Sequence, residues 1–175
     1  MASFFSHPAF PVALKIGSSR PVSKKLFILC LLLTCLPDAD VLAFRFGIAY
    51  SSQWGHRGFT HSILFAVICG VLCTFFSRKI EASRKQVFWW TFLSTLSHSL
   101  MDALTNGGLG VALFWPLTSE RFFFFWRPVE VSPIGVRGFL SLRGLIVVLN
   151  EVLWLWIPSL LAGFIWKLRM KKVPE

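Results

Sequence analysis

The chain has 175 residues, of which 55% are hydrophobic and 16% aromatic, while only 15% are charged, against roughly 25% in a soluble domain. This composition excludes an ordinary water-soluble globule, and four cysteines in a chain of this length do not make the disulfide framework of a small secreted scaffold. The net charge of +10 admits a nucleic-acid partner, an anionic membrane surface or membrane topology, and each predicts a different placement of the basic residues.

Two short apolar runs come first, Phe4 to Ile16 and Leu26 to Pro37, separated by Gly17, Ser18, Ser19, Arg20 and Pro21. At 1.5 Å per residue each reaches only ~20 Å, short of the ~30 Å hydrocarbon core, which predicts tilted, partial or protein-covered spans. Pro8 and Pro11 weaken the first further. Lys24 and Lys25 ahead of the second run also resemble the basic start of a signal peptide, and Leu32 to Cys35 loosely resembles a lipoprotein acylation box. Against cleavage stand the apolar segment before the lysines, the Thr34 that precedes Cys35, and the loss of Asp38 and Asp40. Ile63 to Ser77, extended back to Phe59, predicts a transmembrane helix. Val87 to about Leu104 predicts a second, with Ser94, Ser97, His98, Ser99 and Asp102 toward its end, and Leu145 to Trp166 a third, with Asn150, Glu151 and Pro158 inside it. The expected fold is all-α: a polytopic helical membrane protein of about four to five membrane helices, the first two short or partial, in one domain over residues 1–175. The cysteines, at 30, 35, 69 and 73, fall in these apolar runs and read as small buried hydrophobes.

Charge placement decides between the three explanations. Twelve of the 18 basic residues fall in three short segments: Lys15, Arg20, Lys24 and Lys25; Arg78, Lys79, Arg84 and Lys85; and Lys167, Arg169, Lys171 and Lys172. By the positive-inside rule all three, and the C-terminus with them, belong in the cytoplasm. Loops 38 to 58 and 105 to 143 then lie on the other side, and Trp89, Trp90, Trp115, Trp126 and Trp166 fall near the interfaces. The cytoplasmic segments hold twelve basic and two acidic residues, Glu81 and Glu175, whereas the rest holds six of each. The whole surplus is therefore a topology signal, and with no DNA-binding motif in sight a nucleic-acid partner is not expected.

The three Asp and four His are not scattered. Asp38 and Asp40 stand in Pro-Asp-Ala-Asp; His56 and His61 in Gly-His-Arg-Gly-Phe-Thr-His-Ser; His98 and Asp102 in Leu-Ser-His-Ser-Leu-Met-Asp; and His7 opens the first run. Under the topology above, which made no use of them, all seven gather toward the non-cytoplasmic face. His98 and Asp102 at i and i+4 present an imidazole and a carboxylate on one helix face. His56 and His61 bracket a tight turn in which Gly55 and Gly58 permit unusual backbone angles. Asp38 and Asp40 alternate along an extended loop. Mixed imidazole and carboxylate ligands suit zinc, manganese or iron better than calcium or magnesium, and seven ligands exceed what one tetrahedral ion needs, which allows a two-metal site. The bland alternatives are a solvated Asp-x-Asp turn and a chance His and Asp one turn apart, but ionisable groups inside membrane helices are expensive and functional by default. Glu151 reads as the partner of an Arg or as a proton-carrying group.

These residues carry a family resemblance. Leu-Pro-Asp-Ala-Asp, Gly-His-Arg-Gly-Phe-Thr-His-Ser, Ser-His-Ser-Leu-Met-Asp-Ala-Leu-Thr, Phe-Trp-Pro-Leu and Val-Ser-Pro-Ile-Gly resemble the successive signatures of the YdjM-type bacterial membrane-bound metal-dependent hydrolases. The match covers residues 4 to about 135, and residues 144 to 175 add the last helix and a basic tail. The resemblance implies a bacterial inner-membrane hydrolase with a ligand order similar to that of zinc-dependent phospholipase C and the related single-strand nucleases, in which Asp102 looks like a bridging ligand and His7 matches the Ser/Thr-His that often opens members. A second helical His-x-x-x-Glu, present in the soluble phospholipases, is missing after Asp102, so one to three ions remain open.

The function expected is hydrolysis of a phosphoester or other polar lipid group by a metal-activated water, with zinc as the first choice of ion. His7, Asp38, Asp40, His56, His61, His98 and Asp102 are the expected ligands, Asp38 or Asp40 the base, and Arg57 the stabiliser of transition-state charge. Glu120, Arg121 and Arg127, in the aromatic loop Phe114 to Val131, either contact a headgroup or are ordinary snorkelling charges. The expected partners are membrane lipid and a lipid or phosphoester substrate. The rival class is a non-enzymatic membrane protein, a proton-coupled transporter using Asp102 and Glu151 or a scaffold with a structural metal; no internal repeat supports the transporter.

Overall fold

The computed structural model describes residues 1–133 and 135–170. Ile134, and the tail residues Lys171, Lys172 and Glu175 that figure in the charge map, lie outside them. The regular structure of the described residues is helical, with eight α-helices: α1 (Ala9–Gly17), α2 (Lys24–Leu33), α3 (Ile63–Thr74), α4 (Ser77–Ile80), α5 (Arg84–Ala103), α6 (Val136–Phe139), α7 (Leu142–Glu151) and α8 (Ile157–Met170). Two 3-10 segments, Leu36–Phe46 and Phe59–His61, and one π turn, Val152–Trp156, complete the order. Pairing of extended chain is confined to two isolated bridges, Thr105 with Val129 and Val111 with Phe122.

Serine starts four of these helices. Ser23, Ser62, Ser83 and Ser141 each accept a backbone N–H from the first turn, at 3.1 Å from Leu26, 3.0 Å from Phe65, 3.2 Å from Gln86 and 3.4 Å from Gly144, the role for which a short hydroxyl side chain is favoured at that position. The Ser23 hydroxyl also donates to the Ile80 carbonyl at 2.6 Å, which ties the start of α2 to the turn between α4 and α5.

Of the four to five membrane helices expected, two helical stretches are long and apolar enough to cross a bilayer: Lys24–Phe46, of 23 residues, and Leu142–Met170, of 29. The first corrects the expectation of a short second run. Pro37 ends the α-helix but sits in the first turn of a 3-10 helix that continues to Phe46, where Gly47 takes the left-handed conformation at φ 73°. Asp38 and Asp40 therefore stand on a helix, not in an extended loop. The Phe59–Ser77 run yields a 12-residue helix, α3, or ~18 Å. In the last stretch Pro158 has no N–H to give the helix ladder, and the chain widens just before it, with the Ile157 N–H donating to the Val152 carbonyl five residues back.

α5 is the axis. α3 and α2 pack along it, while α1 lies along α8 on another side. Two apolar clusters sit at its ends: Val87 and Trp90 join Leu26, Cys30 and Ile80, and Met101 joins Ala2, Ala9, Val129 and Leu155. Between them α5 buries Thr91, Ser94, Thr95, Ser97 and Ser99, small hydroxyl residues that let neighbouring backbones approach. In the first turn of α7, Arg143 donates to Glu130 at 2.5 Å and so lowers the pKa of that carboxyl, fastening the long 105–133 loop to α7.

The α1–α8 contact depends on Gly163. A Cβ there would lie 2.5 Å from the Ala13 carbonyl oxygen, so any side chain pushes the two helices apart. Gly163→Val is expected to cost about 1–3 kcal/mol through overpacking, read as a lowered Tm of the detergent-purified protein. An unchanged Tm would show that the helices slide past the obstruction.

Candidate metal centre

The structure brings all seven sequence-predicted ligands together, and four separate segments deliver them. His7 comes from the turn before α1, Asp38 and Asp40 from the 3-10 helix Leu36–Phe46, His56 and His61 from the loop and 3-10 turn before α3, and His98 and Asp102 from the last turns of α5. Asp38, His61, His98 and Asp102 are all buried and each offers one ligand atom within 4.8 Å of the others; Asp40, His56 and His61 form a second such group.

The spacings fall into two classes. In the inner group His98 Nε2 lies 3.0 Å from His61 Nε2 and 3.3 Å from Asp38 Oδ1, and His61 Nε2 lies 3.7 Å from Asp38 Oδ1 and 3.6 Å from Asp102 Oδ2. His7 Nε2 is 3.6 Å from Asp38 Oδ2, and its ring stacks on His98 with centroids 3.7 Å apart. An ion with bonds of ~2.0–2.2 Å to tetrahedral N and O ligands sets neighbouring ligand atoms roughly 3.3–3.6 Å apart, close to most of these values. The outer group is spaced for hydrogen bonds instead: Asp40 Oδ1 meets His56 Nδ1 at 2.6 Å, and Asp40 Oδ2 accepts from Thr60 Oγ1 at 2.6 Å and from the Arg57 N–H at 3.1 Å.

Outer contacts also set the tautomers. The Thr34 carbonyl lies 2.8 Å from His98 Nδ1; Thr60 Oγ1, which gives its own proton to Asp40 Oδ2, lies 3.1 Å from His61 Nδ1, with Asp40 Oδ2 close by at 3.2 Å. Both contacts are acceptors toward the rings, so each Nδ1 carries its ring's proton and donates. Each Nε2 then presents a lone pair, and the two lone pairs face each other beside two carboxylates. The four polar atoms of His7 and Asp38, namely Nδ1, Nε2, Oδ1 and Oδ2, have no hydrogen-bond partner although buried. A buried group left unsatisfied costs about 1–3 kcal/mol. One His7 nitrogen carries that ring's proton, but the other, the two Asp38 oxygens and the Nε2 atoms of His61 and His98 leave lone pairs that no protein donor answers, which is the chemistry of a cation site. The residues fit a divalent metal on this ground.

Arg57 has a different place from the one expected. It is fully buried, with its guanidinium donating from Nε to Asp102 Oδ2 at 3.0 Å, from Nη1 to the carbonyls of Gly107 and Leu109 at 3.1 and 2.6 Å, and from Nη2 to Thr105 Oγ1 at 2.8 Å. Protein acceptors thus engage all three nitrogens, and the side chain orients Asp102. Its backbone takes φ 64°, uncommon for a non-glycine residue. The left-handed angle falls here, while Gly58 takes its own unusual pair, φ −85° and ψ −130°. Gly55 and Gly58 also serve close approach: a Cβ would sit 2.2 Å from the Ala49 carbonyl oxygen and 2.1 Å from that of Gln53.

Arg121 donates to the carbonyls of His56, Tyr50 and Ser52 at 2.9, 3.1 and 2.8 Å, and so staples the loop that carries His56. Burial lowers its pKa. Glu120 is exposed, and the Arg127 guanidinium lies 4.8 Å from the Phe123 ring centroid.

Sequence reasoning underrated Glu151. Its partner is not an arginine: the fully buried carboxylate accepts from the Ser3 N–H, from Ser3 Oγ at 2.5 Å and from Ser6 Oγ at 2.7 Å, while the Ala2 N–H donates to Asp102 Oδ1 at 2.6 Å. These bonds seat the segment that carries His7. The available signal was a buried acid in an apolar helix together with paired serines just ahead of His7.

Removing Arg57 would strand Asp102 and two carbonyls without their donors, a cost of roughly 3–5 kcal/mol for a broken buried pair. Arg57→Gln is therefore expected to abolish recovery of folded, detergent-soluble protein, while Arg57→Lys, which keeps the charge but not the fork, should give a reduced yield. Wild-type recovery and Tm for Arg57→Gln would refute the anchoring role.

No solved structure matches the chain. It is 39% identical over 169 residues to the inner membrane protein YbcI of Escherichia coli (strain K12), covering 95% of this chain and 98% of that one. The family model described as "YdjM inner membrane protein" matches residues 1–173. With all four ligand-bearing segments inside that match, the chain belongs to the YdjM inner membrane protein family.

Proposed function

We propose that this protein is a membrane-embedded, metal-dependent hydrolase of phosphoesters or similar polar lipid groups. The observation that carries this reading is the inner set of buried ligand atoms, with His61 Nε2 and His98 Nε2 3.0 Å apart and four polar atoms of His7 and Asp38 lacking a hydrogen-bond partner. A divalent ion bound there, zinc in the first instance, would supply a Lewis acid and an acidified water at neutral pH. His61, His98, Asp38 and Asp102 are the proposed ligands, with His7 completing the set beside Asp38. Asp40 accepts three hydrogen bonds and acts on His61 and His56 as an orienting carboxylate. Of the two acids considered as base, Asp38 is the one whose oxygens lack protein donors, and it takes the proton. Arg57 holds Asp102 in place and does not touch the substrate.

The proposed topology follows the charge. The basic turns at 15–25 and 78–85 and the end of α8 face the cytoplasm, and the ligands at the other end of α5 face away from it. Full burial of the inner ligands also suits a structural ion, the one rival with an observation behind it.

Metal analysis and lipid hydrolysis separate the two. Protein purified in detergent is expected to carry a stoichiometric transition metal, His61→Ala and Asp102→Ala to lose it, and Asp40→Asn to bind about 10–100-fold more weakly. Headgroup release from a panel of phospholipids should stop with chelator and return with metal. Metal content equal to wild type in both alanine variants would sink the metal centre; metal bound with no chelator-sensitive hydrolysis of any substrate offered would leave the ion structural.

A further inference from the structure

On the face of α5 turned away from the metal centre, an apolar cavity of about 760 Å³ runs between α1, α5 and α8, a size within the usual range for ligand sites. Leu93, Leu96, Leu100 and Leu104 line its α5 wall at the three- and four-residue spacing of one helix face. From Trp90 to Leu104 that wall is ~21 Å long, more than half of a ~30 Å hydrocarbon core. Trp166 and Ala162 also line it and are exposed, so the cavity opens sideways, where an inner membrane protein meets lipid. At the α1–α2 turn it runs into a second cavity of about 300 Å³, with which it shares Gly17, Ser18, Trp90 and Trp166. This second cavity is mixed in character and more polar than the first, adding Ser19, Arg20, Lys85 and Gln86.

We infer that the joined cavities bind an anionic glycerophospholipid of the leaflet on the basic side, with its phosphodiester between Arg20 and Lys85 and an acyl chain along the α5 groove. Charge argues for this occupant. Among the described residues neither Arg20 nor Lys85 is paired with a carboxylate, whereas the nearby Lys25 is paired with Glu81. Trp89, Trp90 and Trp166 ring the junction of the two cavities, the amphipathic side chains favoured where headgroup meets chain. None of the seven candidate metal ligands lines either cavity, because His98 and Asp102 project from the opposite face of α5. The lipid is therefore not the substrate of the metal centre, and its binding stands or falls apart from any hydrolysis.

Titration of the delipidated full chain in detergent with dioctanoyl phosphatidylglycerol, dioctanoyl phosphatidylcholine and inorganic phosphate tests the site, followed by tryptophan fluorescence and thermal shift. Phosphatidylglycerol is expected to bind saturably and more tightly than phosphatidylcholine, with phosphate alone giving no saturable response at the same concentrations. Each basic side chain contributes about a five-fold preference for the anionic lipid. The double variant Arg20→Gln/Lys85→Gln should then lose about thirty-fold in phosphatidylglycerol affinity, and Arg20→Lys/Lys85→Arg should keep it. Ala162→Phe, which fills the groove, should weaken both lipids, and metal content should be unchanged in every variant. Equal affinity of the wild type for the two lipids, unchanged phosphatidylglycerol affinity in the double glutamine variant, or unchanged lipid affinity in Ala162→Phe would each overturn the proposal. Should the double variant not fold, loss of phosphatidylglycerol preference of the wild type at high salt decides the electrostatic part.

Discussion

The buried pair between Arg57 and Asp102 is the contact on which the rest of the molecule turns. A guanidinium removed from water must have its charge and its donors answered by protein, because nothing else in an apolar interior can answer them. Arg57 meets that demand with one carboxylate on α5, one threonine hydroxyl and two carbonyls of the 105–109 turn, so a single side chain fixes three pieces of chain relative to one another. Its own backbone is held as well: its N–H donates to Asp40 and its carbonyl accepts from Ala112. The strain of a left-handed residue persists only where the surroundings over-determine it, and here they do.

From that anchor the ligand geometry follows. Asp102 Oδ2 is shared between Arg57 and the approach to His61, and Asp40 divides its oxygens among His56, Thr60, His61 and the Arg57 backbone. The arrangement has two layers with opposite logic. In the outer one every carboxylate oxygen has a donor; in the inner one the Asp38 oxygens have none and the Nε2 atoms of His61 and His98 face each other. Only the second arrangement needs a cation to be stable in a low dielectric, and only the first can hold imidazoles in the tautomer that presents those lone pairs inward. Affinity for the proposed ion would accordingly depend on the hydrogen bonds made by Thr34, Thr60 and Asp40 as much as on the ligands.

Much of this was legible in the amino-acid order. His98 and Asp102 were readable because helix spacing alone puts i and i+4 together, and His56 and His61 because glycines mark a tight turn. Charge blocks marked the helix ends independently of either. The conformation around Asp38 and Asp40 was not readable, since Pro37 signals the end of an α-helix but does not say that a 3-10 helix will follow. Thr34 was equally hidden, because it acts on His98 through its carbonyl, a group every residue has. Glu151 was visible as an expensive buried acid, but its partners Ser3 and Ser6 lie almost the whole chain away, and pairing over that distance is a product of packing.

The last helix shows why such long-range closure is needed. His7 lies in the turn before α1, and a ligand outside regular structure is held only as firmly as its segment is tied down. Neighbouring residues on α7 do the tying: Glu151 receives Ser3 and Ser6, while Asn150 donates to the Pro128 carbonyl at 3.1 Å and accepts from the Glu130 N–H at 2.8 Å. Both lie just before the π turn that Pro158 imposes on the helix. A regular ladder would leave the Trp154 carbonyl facing a proline ring; widening by one residue relieves that clash and rotates the two halves of the helix relative to each other. The half before the turn can then face the loop and the terminal segment, while the half after it lays Gly163 against α1. One helix thus touches the segment that bears His7 on both sides, through Glu151 at Ser3 and Ser6 and through Gly163 at Ala13.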